Sequence, residues 1–187
     1  MRPLRLTFVT AVLFLSSPLS LQAQGGHAHD GFWIGFGIGG GSAKVVDSDQ
    51  DALGGGAAYL RLGGTLSQRW LLGGEVIGWG RSEDNISYTR SNTTVTAMFY
   101  PSQNGGFYLK GGLGFSFVDA RTDAIGLDIS YSRGGGGLTL GLGFDIKLGS
   151  NIYLTPNLDW LFQTIELNNG DIQKANIGLL TLGLIWH

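Results

Sequence analysis

The 187-residue chain contains no cysteine, which removes disulfide scaffolds, thiolate metal sites and cysteine nucleophiles together. Proline occurs only 4 times, so the 33 glycines belong neither to a proline-rich linker nor to a collagen repeat. Charged residues are 14% of the chain against 43% hydrophobic, too apolar for a disordered chain and short of charge for an ordinary soluble surface. The net charge of -2 presents no basic field to phosphates, so nucleic acid is not expected as a partner. Histidine is confined to His27, His29 and His187, in the N-terminal tail and at the last position. No serine is spaced with a neighbouring base, so the chain is expected not to be an enzyme. Long hydrophobic runs are missing too. The longest, within residues 6–15, is about half the ~20 residues that a membrane-spanning helix needs. It follows Arg2 and Arg5 and leads to Ser16, Ser17, Pro18 and Ala23, the layout of a signal peptide.

Beyond the tail, what is present is alternation. Apolar residues recur at every second position, and the residues between them are small, polar or charged, a period that means strands. Residues 32–40 place Phe32, Ile34, Phe36 and Ile38 opposite Trp33, Gly35, Gly37 and Gly39. Residues 138–148 place Leu138, Leu140, Leu142, Phe144, Ile146 and Leu148 opposite Thr139, Gly141, Gly143, Asp145 and Lys147. Eight such segments can be counted. Short turns near 67–69, 101–104 and 149–150 alternate with long polar connections at about 41–53, 82–92, 119–131 and 166–174. Strands of this length cross a bilayer when tilted. Backbone groups in lipid must all be paired, so such strands have to close on themselves. The reading is an all-β fold: an eight-stranded antiparallel transmembrane β-barrel, an up-and-down meander following a signal peptide. Its parts are the signal peptide at 1–23, a short tail at 24–30 and the barrel at 31–187.

A narrow eight-stranded barrel has little interior space, which explains glycines such as Gly35, Gly112, Gly141 and Gly143 on the inner face. The in-strand charges share that face: Arg61, Lys110 and Lys147 with Glu75, Asp145 and Asp159. They are expected to form an ion-pair network that fills the lumen, because one Lys or Arg in lipid costs about 2–4 kcal/mol at the midplane. Aromatic girdles at the headgroups are expected from Trp70, Phe99, Tyr100, Phe107, Trp160, Phe162 and Trp186. Pro156 lacks an amide hydrogen, so a bulge or one lost ladder bond is expected beside it.

In this architecture the chain resembles the small bacterial outer-membrane β-barrels, the OmpA/OmpX-like family, over residues 31–187. The resemblance implies residence in the outer membrane among lipid and lipopolysaccharide. It also implies that Thr181, Gly183, Leu184 and Trp186 belong to a segment read by the barrel assembly machinery, although this chain ends in His187 where the family has an aromatic residue. Some barrels of this size are enzymes acting on lipid A or phospholipid, and their sites use a histidine on the barrel or its rim. The expected role is non-enzymatic: structural, or binding an extracellular ligand through acidic loops. The alternatives are a narrow channel for ions or small solutes, and a secreted lipocalin-like barrel with its apolar face turned inward.

Other motifs carry less. Asp47, Asp49 and Asp51 have calcium-loop spacing, but Ala52 and Ala58 stand where such a loop needs glycine and glutamate. His27 and His29 could hold a transition metal, with a solvated tail the favoured reading. Gly35, Gly37 and Gly40 satisfy G-x-G-x-x-G without the helix that would give it meaning. No cofactor or metal is expected.

Overall fold

The computed structural model describes residues 29–46, 51–83, 86–124, 127–167 and 170–187. The signal-peptide segment and most of the tail lie outside them, as do Asp47 and Asp49. The chain forms strands β1 (Phe32–Val45), β2 (Leu53–Ser67), β3 (Trp70–Glu83), β4 (Ile86–Phe99), β5 (Phe107–Ala124), β6 (Leu127–Phe144), β7 (Ile146–Lys147), β8 (Ile152–Glu166) and β9 (Ile172–Trp186). Chain neighbours from β1 to β6 pair antiparallel, as do β8 and β9, β1 also pairs β9, and β6 and β7 both pair β8. The sheet is therefore closed. Ladder partners run from Gly143 and Asn157 to Ile146 and Leu154 without a change of register, so β6 and β7 are one stave and the barrel has eight.

That interruption is the effect of Pro156, which faces Phe144 in this register. Two ladder positions, Phe144 opposite Pro156 and Asp145 opposite Thr155, are lost without a shift of register, so no bulge forms, and the Asp145 amide donates instead to the Gly106 carbonyl on the other side. The long connections contract. β1 reaches Val45, β3 reaches Glu83, β5 reaches Ala124 and β8 reaches Glu166, so much of each expected loop is strand. Outside the bilayer a strand needs no apolar face, and polar stretches can continue the ladder while their side chains meet water. Fourteen residues rise about 45 Å, well beyond an apolar band about 25 Å tall.

The outer face is apolar. Ile38, Leu113, Phe115, Val95 and Leu180 are each about two-thirds exposed or more, an apolar surface of the kind that faces lipid. A lipocalin-like barrel requires the reverse orientation. No helix among the described residues is long and apolar enough to cross a membrane, which says nothing of crossing by strands. Trp70, Phe107, Trp160, Phe162 and Trp186 stand on this face. Tyr100 does not. It is fully buried, because it has inward parity and its hydroxyl donates to Asp145 Oδ2 at 2.7 Å.

The interior is filled by buried side chains. One apolar cluster joins Trp33, Leu71, Met98, Tyr100, Tyr108, Tyr153 and Ile185 towards the short-turn rim. Another joins Ala43, Ala57, Tyr59, Ile77, Trp79, Leu161, Ile177 and Leu179 towards the long hairpins. The charged residues lie between and around these layers.

Candidate functional site in the barrel interior

The central layer draws on four staves. Alternation turns Arg61 of β2, Glu75 of β3, Lys110 of β5 and Asp159 of β8 to the inner face, and the register sets Arg61 beside Glu75. The Lys110 ammonium donates to Glu75 Oε1 at 2.5 Å and lies 2.8 Å from Asp159 Oδ1, with all three side chains at most 1% exposed. Arg61 is held against the Tyr59 and Tyr108 rings, 4.7 and 5.4 Å from their centroids. It donates to the Tyr108 hydroxyl at 2.8 Å, and Tyr108 donates to Asn157 Oδ1. Two cations face two carboxylates, so the layer is neutral overall and leaves no buried charge without a counter-charge.

Space in this layer is scarce. A Cβ on Gly141 would collide with Asp159 Oδ1 and stand 3.1 Å from Lys110 Cε. A Cβ on Gly183 would collide with the Tyr59 hydroxyl. Gly141, expected to relieve crowding, thus admits the ion pair, and Gly183 admits the tyrosine to the axis.

The floor at the short-turn rim is a second polar cluster. Asp145 accepts from Tyr100 and, at 2.8 Å, from Thr155 Oγ1. His187 comes to it from the end of β9, with Nε2 3.9 Å from Asp145 Oδ2. His29 comes from the tail before β1, clamped to the β2–β3 turn. Its amide donates to Gln68 Oε1 at 3.1 Å, and Gln68 Nε2 donates to its carbonyl at 2.9 Å. His29, Asp145 and His187 are buried, with ligand atoms within 4.8 Å of one another.

At the opposite end a cavity of about 510 Å³ opens between the long hairpins. Trp79, Tyr88, Val45, Leu53 and Ile86 give it apolar walls, Asp51, Arg81 and Glu83 line its polar side, and Arg90 and Gln173 also line it. Arg90 is 1% exposed and donates to Gln163 Oε1 at 3.2 Å and Gln173 Oε1 at 2.6 Å.

Of the six expected lumen charges, Arg61, Glu75, Lys110, Asp145 and Asp159 are buried inside. Lys147 is not. It has inward parity, but it lies beyond the floor at the rim, where it is exposed. Arg90 takes its place in the interior. Its signal was in the sequence, since Arg90, Asn92, Thr94 and Thr96 share one parity, but a polar run reads as loop when no apolar partner face accompanies it. Thr181, Gly183, Leu184 and Trp186 all lie in β9, paired on both sides by β1 and β8. Leu184 and Trp186 face outward, while Thr181 and Gly183 face in.

A family model described as outer membrane protein beta-barrel domain matches residues 9–184. No curated protein matches the chain in sequence. Among solved structures the fold is similar to Ail, the attachment invasion locus protein of Yersinia pestis. The TM-score is 0.61 at 16% identity, over 84% of this chain and 99% of that one. Ail in complex with the heparin analogue sucrose octasulfate gives a TM-score of 0.58 at 18% identity, with the same coverage. Neisserial surface protein A gives 0.61 at 12% identity, over 86% of this chain and 99% of that one. At such identities the likeness is one of fold.

Proposed function

The chain belongs to the outer membrane protein beta-barrel domain family and resides in the outer membrane, and from that premise we propose a non-enzymatic barrel with a sealed lumen, whose work is done at its outer mouth. The observation that carries this reading is Lys110, held between carboxylates of two other staves with its ammonium out of reach of water. Ion passage requires a wet path along the axis. Here the axis is crossed by a neutral, hydrogen-bonded charge layer with apolar layers on either side.

The outer cavity supports a binding role. Its volume lies in the range of small-molecule sites, which are mostly apolar with a few placed polar groups. Trp79, Val45, Leu53 and Ile86 suit an apolar body, and Arg81 and Arg90 suit an acidic end. Ail carries a polyanion in its complex with sucrose octasulfate. The carboxylates Asp51 and Glu83 beside this mouth favour a smaller amphipathic ligand instead. On the same reading, residues 1–23 are removed on export and 24–30 form the tail. Lipopolysaccharide contacts the apolar outer face, and the β9 segment from Thr181 to Trp186 is presented to the barrel assembly machinery.

The test is single-channel conductance of protein taken from outer membranes and inserted into planar bilayers, with insertion confirmed independently. Verified insertion without unitary steps is the expected result. Stable steps whose size changes with Glu75→Gln would overturn the sealed-lumen reading and make the central layer the lining of a channel.

A further inference from the structure

We propose that His29, Asp145 and His187 form a transition-metal site of the zinc class in the floor of the barrel, bridging the tail before β1, the β6–β7 junction and the end of β9. Two imidazoles and one carboxylate are a donor set that zinc and similar borderline metals accept, whereas calcium and magnesium call for oxygen alone. The three side chains come from distant parts of the chain and meet only because the barrel closes. Their ligand atoms lie within 4.8 Å of one another. Zinc bonds of 2.0–2.1 Å place tetrahedral ligands about 3.4 Å apart, so small rotations of the rings complete the geometry.

Each ligand is oriented as a metal ligand would be. His29 Nδ1 lies 3.1 Å from the Gln68 carbonyl. A carbonyl only accepts, so Nδ1 carries the proton and the lone pair is on Nε2, a tautomer set by an outer partner as in known metal-binding histidines. Each oxygen of Asp145 accepts one hydroxyl, from Tyr100 or Thr155, which fixes the carboxylate and leaves it further acceptor capacity. The His187 backbone is clamped by Asn151, whose carbonyl accepts from its amide at 3.1 Å and whose Nδ2 donates to its carbonyl at 2.7 Å.

The independent observation is the ring of His187. Both its nitrogens are buried, and neither has a hydrogen-bond partner among the described residues. The approach to Asp145 Oδ2, at 3.9 Å, is too long for a hydrogen bond. It is about 0.5 Å longer than the edge of a zinc tetrahedron, a gap that rotation of the imidazole closes. Buried polar nitrogens left unmatched are costly, and a cation between Asp145 and the two imidazoles matches them. The Tyr100 ring packs 4.1 Å from that of His29, and the Tyr153 ring 5.4 Å from that of His187, enclosing the site. No fourth His, Cys, Asp or Glu joins the group among the described residues.

The experiment uses untagged protein extracted from outer membranes in detergent, stripped with chelator and titrated with cobalt(II), then with zinc(II) in competition. The expected result is one cobalt per chain with the intense visible bands of a four-coordinate ion, bleached by zinc, and an unfolding midpoint raised by zinc. His29→Gln and His187→Gln are each expected to weaken binding by at least about tenfold, as first-sphere ligands should lose no less than outer-shell ones, while His27→Gln leaves it unchanged. Absence of the bands in the unaltered protein overturns the site, and so does binding that survives in a folded His29→Gln/His187→Gln protein. Binding lost with His27→Gln would also overturn it, by placing the metal on the tail. If a floor variant fails to fold, the unaltered and His27→Gln proteins decide the question.

Discussion

Replacing Lys110 with methionine isolates the charge of the central layer. Methionine keeps most of the lysine stem, so the packing change is small, about 1.5 kcal/mol or less for a swap of similar volume. What is lost is the ammonium between Glu75 at 2.5 Å and Asp159 at 2.8 Å. Arg61 then faces two carboxylates, and one buried negative charge has no counterpart. Breaking a buried pair from one side costs about 3–5 kcal/mol. With a urea dependence of about 2 kcal/mol per molar, the unfolding midpoint should fall by roughly 1.5–2.5 M. The assay is equilibrium unfolding in lipid vesicles, read by tryptophan fluorescence. Adding Glu75→Gln to Lys110→Met removes the surplus charge and should restore at least half of the loss. A shift below roughly 0.5 M, about 1 kcal/mol, in a properly inserted Lys110→Met barrel would refute the claim that this layer is a balanced, water-free ion network. No recovery in the double variant would trace the loss to packing alone.

Further outcomes follow from the same geometry. Gly141→Ala should destabilise by about 1–3 kcal/mol, the usual cost of overpacking, because its new methyl meets Asp159 and Lys110. Gly178→Ala, whose Cβ would meet nothing within 4 Å, should be close to neutral in the same unfolding assay. Leu142→Arg puts a charge on the lipid face and should cost about 2–4 kcal/mol, against about 0–1 for Leu148→Arg nearer the interface. Equal yields of the two variants in the outer-membrane fraction would contradict the assigned depth.

The period of two, the count of eight and the short-long alternation of connections were legible because each rests on local chemistry: an apolar stripe every second residue, and turn residues between stripes. Facing was legible for the same reason. A charge cannot face lipid cheaply, so Arg61, Glu75, Lys110 and Asp159 had to point inward whatever their partners. Strand ends were not legible, since Arg90 and its neighbours continue the ladder through polar sequence in which no apolar face marks a strand. Height along the axis was equally hidden. Lys147 and Asp145 share a parity, yet one is at the rim in water and the other is buried under Tyr100 and Thr155.

By itself, then, the sequence determined which way each residue faces, because parity and the cost of burying charge act residue by residue. Only closure of the barrel decided who meets whom. Lys110 finds both its carboxylates across the lumen, and His29 meets His187 because β1 pairs with β9 and brings the two ends of the chain to one rim. Distances along the chain say nothing about such meetings; the shear and narrow diameter of eight closed staves set them.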